Sequence, residues 1–309
     1  MTAPAQFPAP APFGGGPQQP QYTSQFAPSF SSQLPVEPTT LGQAVRSEWT
    51  KIRTVRSTVW TLSVMLVLVI GINLLVIVPI NDDNDPTVPV LAPGLFGLLL
   101  GQLAVITLGV LVITSEYGTG MIRTTLTACP KRSRVLTAKA IVFFLLSFVT
   151  TTVACTMTAL ISWSVLSGKT PGGYDLHGDH PGVVIKDGVT SASGTEWLGA
   201  TVGVGLYVAL LGLLALAVGT LLRHSAGAVS AMLGVVLLPL LVAIFLPSGL
   251  DTAREKLVKY SAPNSLASLY HFPMIGDGDQ NGVPQLIALA VVTAVLLGAA
   301  YAALTTRDV

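Results

Sequence analysis

T-S-E-Y-G-T-G-M-I-R-T-T-L-T-A-C-P-K-R-S-R-V-L-T-A-K, residues 114–139, is a polar and strongly basic stretch set between two long apolar runs. Arg123, Lys131, Arg132, Arg134 and Lys139 stand against one acid, Glu116. Lys and Arg beside a membrane span resist translocation, so this density of positive charge predicts a cytoplasmic loop. The first half of the stretch also has helical spacing. Tyr117 and Met121 lie one turn apart, as do Ile122 and Leu126. A short half-apolar helix in an aqueous loop needs a surface to pack on. That surface is the rest of the chain, the membrane or a soluble partner.

Working outward from this loop, six apolar runs emerge at about 58–80, 90–113, 140–166, 197–222, 226–246 and 284–304. Each reaches the roughly 20 residues that a helix needs to cross about 30 Å of hydrocarbon. Outer-membrane strands are about half as long and alternate in polarity. The composition agrees: the 309 residues are 51% hydrophobic and 10% charged, against about 25% charged in a soluble domain. The expected fold is therefore an all-α membrane protein with six transmembrane helices. Residues 41–59 precede the first run and predict an amphipathic interfacial helix. Leu41, Val45, Trp49, Ile52, Val55 and Val59 share one side, while Arg46, Lys51, Arg53 and Arg56 flank it. Glu48 breaks the apolar side and predicts an ion pair with a base, either local Lys51 or one in the basic loop.

Residues 1–40 are rich in Pro, Gln, Ser and Ala, with Glu37 as the only charge. They bury too little apolar surface to offset ordering entropy, so this part reads as a disordered tail and 41–309 as the membrane domain. Orientation follows from the basic residues. With both ends in the cytoplasm, eleven of the sixteen Lys and Arg lie inside and five outside, as the positive-inside rule requires. The acids run the other way, four inside and eleven outside. The outer face then carries a short acidic loop and two long loops. One of them contains T-A-R-E-K-L-V-K-Y, a predicted short helix. The apolar segment P-N-S-L-A-S-L-Y-H-F-P follows it, where Tyr270 and His271 are candidate interfacial anchors.

The spans have no ionisable residue in their cores. Ion-coupled carriers place such groups at membrane depth, so this class is disfavoured. The deepest polar groups are Asn73, Gln102 and the hydroxyls of Thr150, Thr151, Thr152, Thr156 and Thr158, expected to bond their own backbone or pack between helices. Gly168-Lys169-Thr170 lacks the glycine five residues upstream that a phosphate loop needs. D-L-H-G-D-H, residues 175–180, has metal-ligating side chains but reads as a solvated loop. Cys129 and Cys155 read as ordinary thiols. No hydrolase or zinc-protease motif is present. Gly97 with Gly101, and Gly199 with Gly203, form two G-x-x-x-G pairs that permit close helix contact within one chain or between two.

Two stretches resemble the type-2 ABC transporter permeases, the six-helix membrane subunits of ABC exporters. One is S-E-W-T-K-I-R-T-V-R-S-T-V-W-T-L, residues 47–62, leading into the first run. The other is S-E-Y-G-T-G-M-I-R-T-T-L, residues 115–126, followed by P-K-R-S-R-V-L-T-A-K, residues 130–139. The six-span order and the long loop before the last span match as well; the Asp- and Gly-rich outer loop 167–196 departs from the pattern. The resemblance implies a connecting helix carrying Glu48, Trp49, Lys51, Arg53 and Arg56. It implies a coupling helix in which Glu116, Tyr117, Met121, Ile122, Arg123 and Leu126 contact a cytosolic ATP-binding cassette subunit. It further implies a second permease copy or homologue as partner. The substrate path would run between the two permeases, lined mainly by the second and fifth spans. ATP and Mg would sit on the partner subunit, with no cofactor or metal in this chain, no nucleic acid, and the cell membrane as location. Competing expectations are a non-transporting polytopic scaffold or sensor-associated subunit, and an intramembrane enzyme.

Overall fold

The computed structural model describes residues 40–82, 88–128, 131–169, 184–186, 188–247, 249–272 and 281–306. The expected tail over 1–39, the acidic centre of the first outer loop, Cys129 and the D-L-H-G-D-H segment lie outside the described residues. The fold is that of an all-α membrane protein, with six helices long and apolar enough to cross a membrane. A preceding amphipathic helix, α1 (Leu41–Thr54), starts at a capping box. Thr40 Oγ1 accepts from the Gln43 N–H and Gln43 Oε1 accepts from the Thr40 N–H, so two otherwise orphaned donors are satisfied. Val55 adopts an extended conformation and breaks the chain. The first span, α2 (Arg56–Asp82), begins immediately after it. Arg56, expected in the connecting helix, therefore belongs to the span.

The second span, α3 (Pro93–Gly118), and the third, α5 (Arg132–Leu166), are both longer than their apolar runs. Between them stands the short α4 (Met121–Ala128). The expected aqueous loop is thus mostly helix. Its residues continue the backbone ladder because Thr114, Glu116, Val135, Leu136, Ala138 and Lys139 all find buried positions. Beyond α5 a hairpin pairs β1 (Val184–Lys186) with β2 (Val189–Ser191), Ile185 opposite Thr190. The Thr190 hydroxyl donates to the Leu166 carbonyl at 2.8 Å and anchors the hairpin on the end of α5. Lys169 of the rejected phosphate triplet donates to the Asn81 carbonyl at 2.8 Å, a structural tie to the end of α2.

The fourth span runs from α6 (Gly194–Leu198) through a π turn at Gly199–Gly203 into α7 (Val204–Leu222). The fifth is α8 (Ser225–Phe245). Then come the predicted short helix, α9 (Asp251–Lys259), and α10 (Ala262–Leu269), before the last span, α11 (Val283–Thr306). α3 and α7 form the centre of the bundle. α2 covers α3, and α5 and α11 cover α7.

Lipid tails are as apolar as leucine, so spans associate through close packing and hydrogen bonds rather than the hydrophobic effect. Both glycine pairs serve that purpose inside this one chain. A Cβ at Gly97 would strike the Val69 carbonyl of α2, and one at Gly101 would lie 2.6 Å from Val69 Cγ2. A Cβ at Gly199 would strike the Leu269 carbonyl of α10, and one at Gly203 would meet Leu269 Cδ2 at 3.3 Å. Thr150, Thr156 and Thr158 donate to backbone carbonyls at 2.7–2.9 Å, and Thr152 packs against Gly205 of α7, the two roles expected of them. Asn73 instead accepts from the Ser162 hydroxyl at 3.0 Å, a polar tie between α2 and α5. Tyr270 is a correction. It is 2% exposed and donates to Cys155 Sγ at 3.9 Å inside the bundle, so it is no interfacial anchor. All of α10 except Ala262, Pro263 and Asn264 is at most 2% exposed, which draws Tyr270 inward with it.

Candidate functional site: a buried ionic junction at one end of the bundle

Four charged side chains from three helices meet where α1 crosses the bundle. Glu48 and Lys51 come from α1, Glu116 from the last turn of α3 and Lys139 from the third turn of α5. Glu48 and Lys51 are three residues apart on one helix face, and their atoms Oε1 and Nζ are 2.8 Å apart. Lys139 Nζ donates to Glu48 Oε2 at 2.7 Å and to Glu116 Oε1 at 2.9 Å. Lys51 Nζ donates to the same Glu116 oxygen at 3.1 Å. Each lysine therefore bridges both glutamates. Lys139 is 1%, Glu48 4% and Glu116 6% exposed, whereas Lys51 reaches solvent along its edge. The two bases expected as alternatives for Glu48 both pair with it.

Burial disfavours charge on Glu48, but the Lys139 and Lys51 ammoniums outweigh it and hold the carboxyl below its ordinary range. Burial likewise opposes charge on Lys51, and the two carboxylates outweigh it and raise its pKa. Glu116 lies at the negative end of the α3 dipole, an unfavourable place for an acid. Two ammoniums are what make it tolerable there. Desolvating four charges costs about as much as their attraction returns, so such a cluster adds little net stability. Removing one member, however, costs about 3–5 kcal/mol because its partners stay buried. The junction accordingly fixes how α1 sits on the ends of α3 and α5.

Neighbouring contacts tie in the other helix ends. The Arg223 guanidinium, in the left-handed cap of α7, lies 5.4 Å from the Tyr117 ring centroid, a cation–π distance. Arg132 Nη1 donates to the Leu304 carbonyl of α11 at 3.2 Å. Thr137 and Tyr301 hydroxyls are 2.7 Å apart. α1 and the end of α11 thus share one end of the bundle, as an even number of spans demands.

The expected contact set divides. Glu116 does not start the short helix. It ends α3, and Thr119 with Gly120, whose φ is +72°, makes the turn into α4. A left-handed φ of this kind favours glycine. Glu116 is thereby buried at the end of α3, and the continuous helix from Tyr117 to Leu126 is interrupted. Tyr117 is half-buried under Arg223, and Ile122 is 4% exposed. Met121 is 49% exposed, and Thr124 and Thr127 continue its exposed row along α4. The backbones of Arg123 and Leu126 lie in α4, while their side chains are outside the described residues. On α1, Trp49 and Arg53 are exposed. The face turned to the protein is the Glu48, Lys51 and Ile52 one, which leaves Leu41 and Trp49 uncovered. Sequence reasoning missed Lys139 as the organising residue. Its signal was a lysine directly abutting an apolar run, while Glu48 called for a base from Lys51 or the basic loop and Glu116 had no assigned partner.

Among the described residues no three His, Cys, Asp or Glu side chains converge on a metal position. No protein-family model matches this chain, and no curated protein matches it.

Proposed function

We propose that this chain is the membrane-spanning permease subunit of an ATP-driven ABC transporter of the exporter class. It would work with a separate cytosolic ATPase subunit that carries ATP and Mg. The observation that carries the reading is the ionic junction beside α4. It is a rigid joint that links a surface helix to two spans, next to a short helix whose Met121, Thr124 and Thr127 row is uncovered. In the resembling family a connecting helix and a coupling helix occupy these places. A force applied to α4 would pass into α3 and α5 directly and into α1 through Glu116 and Lys139. Glu48 and Lys51 of the connecting helix act here as structural partners of the joint, and Met121 as a contact for the ATPase.

The eleven-to-five distribution of basic residues supports cytoplasmic placement of the junction and of both termini, in the cell membrane. The fifth span, α8, exposes Val235, Leu238, Val242 and Phe245, an apolar face suited to a second permease copy. With no ionisable side chain at mid-membrane depth, the energy would come from the ATPase rather than from an ion gradient.

The test is co-purification and transport with Met121→Asp/Thr124→Asp, two acids on the uncovered row of α4. Exposed substitutions of this kind change stability by about 0.5 kcal/mol or less, so membrane level and melting temperature should stay as in the parent. ATPase association and transport should fall together. A parent chain that brings down no ATPase from its own membranes, or a variant that keeps full association, would overturn the proposal. The first outcome would favour a scaffold.

A further inference from the structure

A cavity of about 370 Å³ opens beside the ionic junction, between α1, the start of α2 and the last turns of α3. That size falls within the roughly 300–1,000 Å³ of small-molecule sites. Its far wall is apolar, built from Leu108, Leu111 and Val112. Its near end holds Glu116, together with the hydroxyl-bearing Thr58 and Ser115. Glu116 is 6% exposed and spends its Oε1 on both lysines, but its Oε2 is buried with no hydrogen-bond partner. A buried carboxylate oxygen left unpaired is costly. Lys139, the one cation lining the cavity, is already committed to Glu48 and Glu116. The junction therefore has an unpaired acceptor, on a residue that lines an apolar slot.

We propose that this cavity binds an amphiphile with an ammonium head, its amine on Glu116 Oε2 and its alkyl chain along Leu108, Leu111 and Val112. An ammonium completes the carboxylate with a charge-assisted bond, about twice as strong as a neutral one. A carboxylate or phosphate head would instead meet an acceptor. The same chemistry reaches the site from two sources, an aminophospholipid of the surrounding leaflet or a soluble cationic amphiphile. The inference is independent of the transporter reading, because its assay uses the isolated chain without any ATPase.

The experiment measures saturable binding of labelled dodecylammonium to the full-length chain in phosphatidylcholine nanodiscs, beside dodecanoate and dodecanol. Dodecylammonium should bind about tenfold or more tightly than either, the equivalent of one hydrogen bond to a charged group. Glu116→Gln should abolish that preference. Because Glu116→Gln also disturbs the junction, Leu111→Trp is the second variant; it fills the slot and leaves all four charges in place. Its dodecylammonium binding should fall by a similar factor at an unchanged melting temperature. Equal binding of the three amphiphiles, or undiminished binding by folded Leu111→Trp, overturns the proposal. Phosphatidylethanolamine added to the nanodiscs separates the sources. Competition with dodecylammonium identifies the lipid as the occupant, and its absence alongside the amine preference identifies a soluble amphiphile.

Discussion

The two ends of this bundle fasten a short helix to the spans by opposite means. At one end α1 is fastened by charges, Glu48 and Lys51 meeting Glu116 and Lys139 within 2.7–3.1 Å. At the other end α10 is fastened by fit. The Leu269 backbone lies against Gly199, and Tyr270 fills the interior beside Cys155. Packing of the second kind is tolerant of pH and salt, and fails when a side chain grows. An ionic joint is nearly neutral in net stability and fails when one member is lost. The difference places the ionic joint beside α4 and the packed joint at the far end.

The sharpest way to break this contrast is Lys139→Met. Glu48 and Glu116 would both keep their burial and lose the more buried of their two shared lysines, which costs about 3–5 kcal/mol. Thermal unfolding in detergent or nanodiscs should show a large fall in melting temperature and a loss of protein from the membrane. An unchanged melting temperature would mean the junction is hydrated rather than buried.

At the packed end the counterpart is Gly199→Val. The new Cβ would strike the Leu269 carbonyl, and overpacking of this sort costs about 1–3 kcal/mol. The melting temperature should drop less than for Lys139→Met. Accessibility of a cysteine introduced on α10 should rise, because that helix must shift outward. A tolerated valine would show that α10 is loosely held.

Acid should separate the two ends without mutation. Glu48 has a lowered folded-state pKa, so its contribution is present above its ordinary value of 4.5 and is lost as pH falls through the lower folded value. Lys51 has a raised one, so its contribution is present below 10.5 and is lost only as pH rises through the higher folded value. Stability owed to these two groups should be flat between 4.5 and 10.5 and should fall on either side. The acid loss should be a fraction of the Lys139→Met effect, since Lys51 still holds Glu116. Repeating the titration on Glu48→Gln should remove the acid limb and leave the packed end unaltered.

The smallest expected effect is Tyr270→Phe. Among the described residues its hydroxyl makes one long contact, to sulfur 3.9 Å away on Cys155. The ring keeps its packing, so the change should cost about 1 kcal/mol or less. A larger loss, measured by the same unfolding assay, would mean that the hydroxyl carries more of the α10 attachment than the ring does.

Hydrophobic periodicity and length were enough to predict an all-α protein with six spans, because a helix in hydrocarbon satisfies its own backbone and needs only about 20 apolar residues to be recognised. The amphipathic helix before them was equally legible, and so was the oddity of Glu48 on its apolar side. Three things were decided only in three dimensions. Helix ends ran past the apolar runs, since Glu116 and Lys139 look like loop residues until each supplies the other's counter-charge. Both glycine pairs turned inward to Val69 and Leu269, a choice that G-x-x-x-G spacing cannot express. Tyr270 left the interface for the core because α10 as a whole is buried. In each case local sequence stated what a residue needs, a partner, a close neighbour or an apolar slot. Which residue met that need was settled by helices 23 to 115 positions away in the chain folding against it.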